Sequence, residues 1–401
     1  MRVSIVLDQQ FIHTPDGATY DDGHATYSLW RRYLDVFEEV QVVGRSRPVS
    51  EVPTGYRRVD GPGVRVLHVP FYQGPGGLLR RLPRVVATLR RGLEPGEAVI
   101  VRLSSVLSHL TAGLRQVQGR PFAAEVINDP YLGFAGEGVQ HPLRRALRWL
   151  LTTLTQVQCR QAVAVQYVTR AALQRRYPPR PGTPSFGVSD VQLPPLAFAA
   201  PRTYRGPARR AVLVGSLDYP HKAVDVVLRA LARLRAQGLD LHFTLVGEGA
   251  LRPELETLAR ELGVWEACTF VGQRSTAEGV RRDLAAADLF LMPSRTEGLP
   301  RALLEAMAQG LPALGSDVGG IPELLPPDLL TRPGDVESLV EVWRRLALDP
   351  TRLSAESARN VALAHEYADE VLGRQRQAFL RAVRRGSQPG QSTCAPARRR
   401  L

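Results

Sequence analysis

Two carboxylates and one ammonium carry the chemistry of this sequence. Glu297 and Glu305 lie in the run Met292-Pro-Ser-Arg-Thr-Glu-Gly-Leu-Pro-Arg-Ala-Leu-Leu-Glu-Ala-Met-Ala-Gln-Gly310. The run leaves an apolar strand and enters a helix whose expected first residue is Pro300, where proline's missing N–H costs nothing. Gly310 is expected to stop that helix. The free amides of the first turn, with Gly298 before them, make an anion site, because the positive end of the helix dipole lies behind them. Glu297, just before the helix, and Glu305, one to two turns inside it, can flank a bound phosphate and accept hydrogen bonds from sugar hydroxyls. Such a Glu pair alone is more often a solvated helix face. Its place beside a glycine turn at a strand end points to a site.

The ammonium is Lys222, in Val214-Gly-Ser-Leu-Asp-Tyr-Pro-His-Lys222, again strand, turn and helix start. Of 52 basic residues it is the one lysine. A lone lysine is by default a surface residue, but here a compact point charge sits where a phosphate would meet both dipole and ammonium. A third strand-to-turn junction, Leu245-Val-Gly-Glu-Gly249, lets backbone approach a ligand. It lacks the third glycine of a dinucleotide fingerprint, so a structural turn is the better reading of Gly247 and Gly249.

These residues need strands to carry them. The second half offers candidates at Ala211–Val214, His242–Val246, Thr269–Val271, Leu289–Met292 and Pro312–Leu314. Helical patterns follow the first four, at Ala223–Arg235, Leu251–Leu262, Thr276–Ala287 and Pro300–Gln309. The first half has strand candidates at Val3–Leu7, Val40–Val43, Val64–Val69, Ala98–Leu103, Phe122–Ile127 and Ala162–Val168. A polar glycine loop (Asp16-Gly17, Asp21-Asp22-Gly23) and helical patterns at Ala25–Phe37, Leu78–Leu93 and Leu143–Gln158 lie between them. Such alternation predicts an α/β class with two doubly wound parallel sheets. Eight prolines from Pro178 to Pro207 mark the hinge. The expected division is an N-terminal Rossmann-like domain over 1–200 and a second over 201–370. A helix over 371–386, the end of a pattern at Glu366–Arg384, would cross back to the first domain. A basic tail over 387–401 is expected to be disordered. The cleft between strand ends is where such sheets bind ligands.

Composition limits the alternatives. The chain has 401 residues, 44% hydrophobic and 23% charged, ordinary globular values. No apolar stretch approaches the ~18 residues of a membrane span, and the N-terminus lacks the pattern of a signal peptide. Cys159, Cys268 and Cys394 form no zinc or disulfide pattern, which suits a reducing cytoplasm. The net charge of +13 divides into +9 for residues 1–200, −2 for 201–380 and +6 for 381–401. A basic first half can meet a nucleic acid, an anionic lipid or an acidic small molecule. The arginines are not interleaved with aromatics, which argues against nucleic acid. The helix Leu143–Gln158, with Arg144, Arg145 and Arg148 beside Trp149, could lie on an anionic membrane or simply pack on its own sheet. Nucleophile-elbow, Walker and zinc-protease motifs do not occur.

The runs VGSLDYPHKAVD, LVGEG, FVG and AADLFLMPSRTEGLPRALLEAMAQGLPALGSDVGGIPEL resemble the nucleotide-sugar domain of the retaining GT-B glycosyltransferases of family 4, strongly over residues 210–345. The resemblance implies that Glu297 binds the transferred sugar and steadies charge at its anomeric carbon, and that Glu305 holds the ribose. Lys222, with amides of Gly298, Leu299 and Arg301, would neutralise the leaving diphosphate. Backbone near Gly272 and Gln273 would meet the base, Gly215 and Gly247 would shape the phosphate turn, and Gly17 would approach the diphosphate. The family works without bound metal or cofactor, and this chain has no Asp-x-Asp.

Two departures stand at the phosphate site. Ser216 replaces an arginine, and Pro300 replaces a glycine that could donate an amide. Arg301 or Arg274 is expected to supply the missing guanidinium. On the acceptor side His109, Asn128 and Asp129 are candidates, with ordinary core or polar roles as their alternative. The implied function is transfer of a hexose from a UDP- or GDP-sugar to an anionic, lipid-linked or polysaccharide acceptor. The setting would be cytoplasmic, with contact at the inner face of the plasma membrane left open. An inactive donor-binding partner subunit and a basic nucleic-acid-binding protein are the competing readings.

Overall fold

The computed structural model describes residues 1–22, 25–103, 105–133 and 143–388. Most of the tail expected to be disordered, residues 389–401, lies outside these.

The first sheet contains β1 (Arg2–His13), β2 (Thr19–Asp21), β3 (Glu39–Pro48), β4 (Arg57–Arg58), β5 (Val64–Pro70), β6 (Ala98–Leu103), β7 (Ala123–Val126), β8 (Val165–Tyr167) and β9 (Ser185–Gly187). Its parallel body runs β5-β3-β1-β6-β7-β8-β9, with β2 and β4 added antiparallel beyond the end of β1. The second sheet contains β10 (Arg210–Val214), β11 (His242–Val246), β12 (Cys268–Gly272), β13 (Leu289–Met292), β14 (Ala313–Ser316) and β15 (Leu330–Thr331). All its pairings are parallel, in the order β12-β11-β10-β13-β14-β15. Two such sheets covered by helices make the GT-B architecture.

Alternation explains the layers. On β1, Val3 and Ile5 face one core with Trp30, Phe37 and Phe379, while Val6 faces the other with Val43, Val99 and Val101. All of these are essentially inaccessible, and each such side chain contributes ~1.5–3 kcal/mol. Phe379 belongs to the helix Asp369–Gly386, whose Leu380 and Val383 enter the same first-domain core. The last described helix therefore packs on the domain where the chain began.

Four sequence expectations need correction. β1 does not stop near Leu7: its register shifts between Val6 and Gln10, and the strand continues into a hairpin with β2. Gly44 permits this, because a Cβ there would stand 2.4 Å from the Phe11 ring. The segment Ala25–Phe37 is a short helix, Tyr27–Arg31, followed by a 3-10 turn, Arg32–Asp35. Pro300 is not the first helical residue; it is the extended N-cap (ψ 114°) of Arg301–Ala308. The terminal pattern Glu366–Arg384 starts later. The preceding helix ends at His365, and Asp369 opens the last one, its carboxylate accepting from the Leu193 amide (2.8 Å) and its own amide donating to the Leu193 carbonyl (3.1 Å).

Candidate active site

Three strand ends of the second sheet converge. β10 leads through Gly215 to a 3-10 turn, Pro220–Lys222, and then the helix Val224–Ala236. The hinge between turn and helix is Ala223, at φ 53° and ψ 40°, the one non-glycine residue with positive φ among those described. That conformation costs an L-residue ~1–2 kcal/mol. It swings Lys222 back over Gly215, where a Cβ would lie 2.8 Å from the lysine Cε. Strain and a bare glycine together hold the ammonium in place.

β13 leads to the Glu297 loop. Lys222 Nζ donates to Glu297 Oε1 at 2.6 Å, and Ser294 Oγ donates to the same oxygen at 2.8 Å. Both charged side chains are largely sunk, 14% and 11% exposed. Ser294 is itself buried, with its carbonyl accepting from Ser316 Oγ on β14. Arg295 clamps the two loops: its amide donates to the His221 carbonyl (2.7 Å) and its guanidinium grips Asp225 through two bonds of 2.9 and 2.7 Å. Burial, and then neighbouring Lys222, hold the His221 imidazole below its usual pKa.

The helix Arg301–Ala308 supplies the rest. Among the described residues, the amides of Gly298, Leu299 and Arg301 have no hydrogen-bond partner. Glu305 is half-buried, and its carboxylate also has no hydrogen bond or ion pair among the described residues. Burial raises its pKa against the pull of Arg301 and Arg281. A carboxylate without a donor in a lined recess (Gln192, Ala277, Arg281 and Leu284 are its neighbours) is chemically unfinished. A diol would complete it. Gln309 caps the helix and Gly310, at φ 68°, ends it.

Backbone packing explains the glycines. A Cβ on Gly247 would lie 1.8 Å from the Gly215 carbonyl oxygen, and one on Gly249 would lie 2.3 Å from the Asp218 nitrogen. The Gly247 amide also donates to the Gly272 carbonyl at 3.0 Å, joining the ends of β11 and β12. Gly298 faces the first domain, where its Cβ would meet the Ile127 carbonyl oxygen at 2.5 Å. Gly319, at φ 56°, lies against the Glu297 carbonyl, and the Gly320 amide donates to that of Gly298 at 2.6 Å. The Glu297–Gly298 peptide is thus held between the two domains.

Other expected residues fall elsewhere. Arg274 is committed to Asp283 by two bonds of 2.6 and 2.8 Å, so it does not stand in for the arginine absent at Ser216. Ser216 Oγ is turned onto Asp218 at 2.7 Å. Arg301 is exposed and has no hydrogen bond or ion pair among the described residues, which leaves it as the available guanidinium. Gln273 is exposed at the end of β12. Gly17 forms the tip of the β1–β2 hairpin at φ 85°, where a Cβ would meet nothing within 4 Å.

Two of the three acceptor candidates, His109 and Asp129, have structural contacts. His109 is buried in the helix Val106–Val117, and its Nδ1 shares a 2.7 Å hydrogen bond with Gln158 Oε1. Burial lowers its pKa. Asp129 is buried under Tyr177 Oη (2.5 Å), the Tyr131 amide (2.9 Å) and Arg176 (3.1 Å). Asn128 is exposed beside Ile127. Sequence reasoning overlooked Ser294, the Arg295–Asp225 clamp and Glu323. The last caps the first-domain helix Ala172–Arg176 from across the cleft, accepting from the amides of Arg170 (2.7 Å), Ala171 (2.9 Å) and Ala172 (2.5 Å). The Gly-Gly-Ile-Pro-Glu323 run carried the available signal, a glycine pair ahead of an acid.

Residues 208–349, which hold Lys222, Ser294, Glu297, Arg301, Glu305 and Glu323, match the family model of glycosyl transferases group 1. The chain carries a group 1 glycosyltransferase domain. Along its length it is similar to Protein CapJ of Staphylococcus aureus, 24% identical, with 84% of this chain and 86% of that protein covered. The amylovoran biosynthesis glycosyltransferase AmsK of Erwinia amylovora is 33% identical over 38% of this glycosyltransferase and 42% of its own length. Among solved structures, Anabaena HepE in complex with UDP-glucose superposes with a TM-score of 0.66 at 17% identity, covering 95% of this chain and all of that one.

Proposed function

We propose that this glycosyltransferase moves a hexose from a nucleoside diphosphate sugar, UDP- or GDP-linked, to an anionic acceptor with retention of anomeric configuration. The acceptor is lipid-linked or a growing polysaccharide, and the setting is surface-glycan assembly on the cytoplasmic side of the membrane. The observation that carries the reading is the 2.6 Å contact of Lys222 with Glu297 beside unpaired amides and an unpaired Glu305. Support comes also from a relative that serves amylovoran biosynthesis and from a protein of like fold that holds UDP-glucose.

In this reading the diphosphate enters between Lys222 and the helix at Arg301, and Arg301 closes over it. Glu305 accepts from the ribose hydroxyls. Glu297, held by Ser294, binds sugar hydroxyls and stabilises positive charge as the anomeric bond to the diphosphate breaks. Electrostatic stabilisation of the leaving group by fixed donors provides the main rate effect. The grip is assigned to Lys222 and backbone amides rather than to a metal ion or cofactor.

Calorimetry with UDP, GDP, ADP and their sugars tests the donor. A bound nucleotide at 100 times its Kd raises stability by ~2.7 kcal/mol. Turnover followed by NMR reports the anomeric outcome, and undiminished turnover in EDTA is the expected result. Donor binding lost in neither Lys222→Ala nor Glu305→Ala removes the basis of the proposal.

A further inference from the structure

Three helices cover one face of the first sheet: Gly74–Gly92, Val106–Val117 and Arg144–Gln161. Their inner residues, among them Val85, Leu89, Leu107, Ala112 and Cys159, belong to one core. Their outer surface is unusual in charge. The three helices carry ten arginines, all but the buried Arg115 on that surface, and no aspartate or glutamate. The five arginines of the first helix are exposed, and neither they nor Arg145 and Arg148 form an ion pair among the described residues. A solvated helix face ordinarily mixes both signs.

The same surface exposes apolar groups. Ten large hydrophobic side chains stand exposed among the described residues, and seven lie on these helices or at their ends. Val117 (88%) ends the middle helix, and Leu79 (73%), Trp149 (70%) and Leu143 (61%) stand beside the exposed arginines of the other two. The first helix follows β5 and the third precedes β8, so both begin at the carboxyl edge of the sheet. Arg80, Arg145 and Trp149 lie in the first halves of these helices, on the edge where the sheet opens to the cleft, and Arg84 lies one turn beyond Arg80 at the middle of the first. None of the described helices is long and apolar enough to cross a membrane.

We propose that this arginine face docks the enzyme on an anionic phospholipid bilayer, with Leu79, Leu143 and Trp149 entering the headgroup layer and the cleft edge turned to the lipid. Basic residues around exposed Leu and Trp are what an interfacial surface requires. A polyanion such as RNA would use the charge and leave the apolar groups in water. The inference rests on the reading of a lipid-linked acceptor and specifies the surface that reaches it.

The test is co-sedimentation of the full chain with phosphatidylcholine vesicles, with and without phosphatidylglycerol. Binding only to anionic vesicles, with a blue shift of tryptophan emission that is absent in Trp149→Phe, is the expected result; Trp30 and Trp343 are already buried. Replacing Arg80, Arg84 and Arg145 together by Gln weakens binding roughly fivefold per arginine, on the order of a hundredfold in all. A control triple on the second domain, Arg229→Gln, Arg332→Gln and Arg344→Gln, stays close to wild type. Donor affinity measured by calorimetry is the same in every variant. Wild-type indifference to anionic vesicles, equal loss in the control triple, or tight polyuridylate binding without a lipid-induced shift of Trp149 overturns the proposal. Any of these with intact donor binding leaves the donor assignment standing, whereas vesicle binding without donor binding does the reverse.

Discussion

Removing either partner of the Lys222–Glu297 pair leaves a charge nine-tenths sunk with its main counterion gone. At 2.6 Å and an effective dielectric of about 20, the gross attraction is about 6 kcal/mol. Desolvation of the two groups offsets more than half of it. Lys222→Ala keeps Ser294 Oγ on the carboxylate, and Glu297→Gln keeps the shape but not the charge. Each is expected to lose ~2–3 kcal/mol of second-domain stability, and the double variant less than their sum by ~2 kcal/mol. Urea unfolding of the four proteins measures this, with Trp343, fully buried in the second domain, as reporter. Donor binding separates the partners further: Lys222→Ala loses diphosphate affinity about tenfold or more, since a charge-assisted bond is gone. If the two substitutions add within ~0.5 kcal/mol, the pair is not energetically coupled and the description of the site fails.

Arg301→Ala raises the donor Kd about tenfold while Arg274→Ala leaves it within a factor of two, because Asp283 already occupies the latter; calorimetry distinguishes them. Glu305→Gln weakens donor binding by about 1.5–3 kcal/mol, the value of a hydrogen bond to a charged group, yet raises Tm at neutral pH. The sign follows from burial, which makes the folded protein bind the Glu305 proton more tightly than the unfolded chain. Wild type therefore loses stability as pH rises from the unfolded value through the raised one, and the Tm gap to Glu305→Gln opens over that window and closes below it. Gly298→Ala sets a methyl 2.5 Å from the Ile127 carbonyl and forces the domains apart, so kcat falls more than donor affinity in steady-state and binding assays.

The parts of this fold legible in the sequence are those fixed by local pattern. β13, as a continuous apolar run buried on both faces, falls at the expected residues, as do β11 and β6. The expected strand Val3–Leu7 stops short because Asp8 looks like a break, and Asp8 and Gln9 are both polar. Their partners, Arg45 at 2.6 Å and Asp21 at 2.6 Å, come from other elements. The site divides in the same way. Lys222, Glu297 and Glu305 are marked by glycine turns at strand ends. The commitment of Arg274 to Asp283, of Asp129 to Tyr177 and of Glu323 to the opposing domain depends on side-chain geometry that spacing does not encode.

A chain of arginines with one lysine is a selective target for covalent chemistry. Amine acylation can reach only the terminal nitrogen, which pairs with Glu38, and the ammonium lodged against Glu297. With nucleotide acting as the shield, the adduct that it prevents therefore reports on the ammonium in the pocket, and the adduct that persists belongs to the terminal nitrogen.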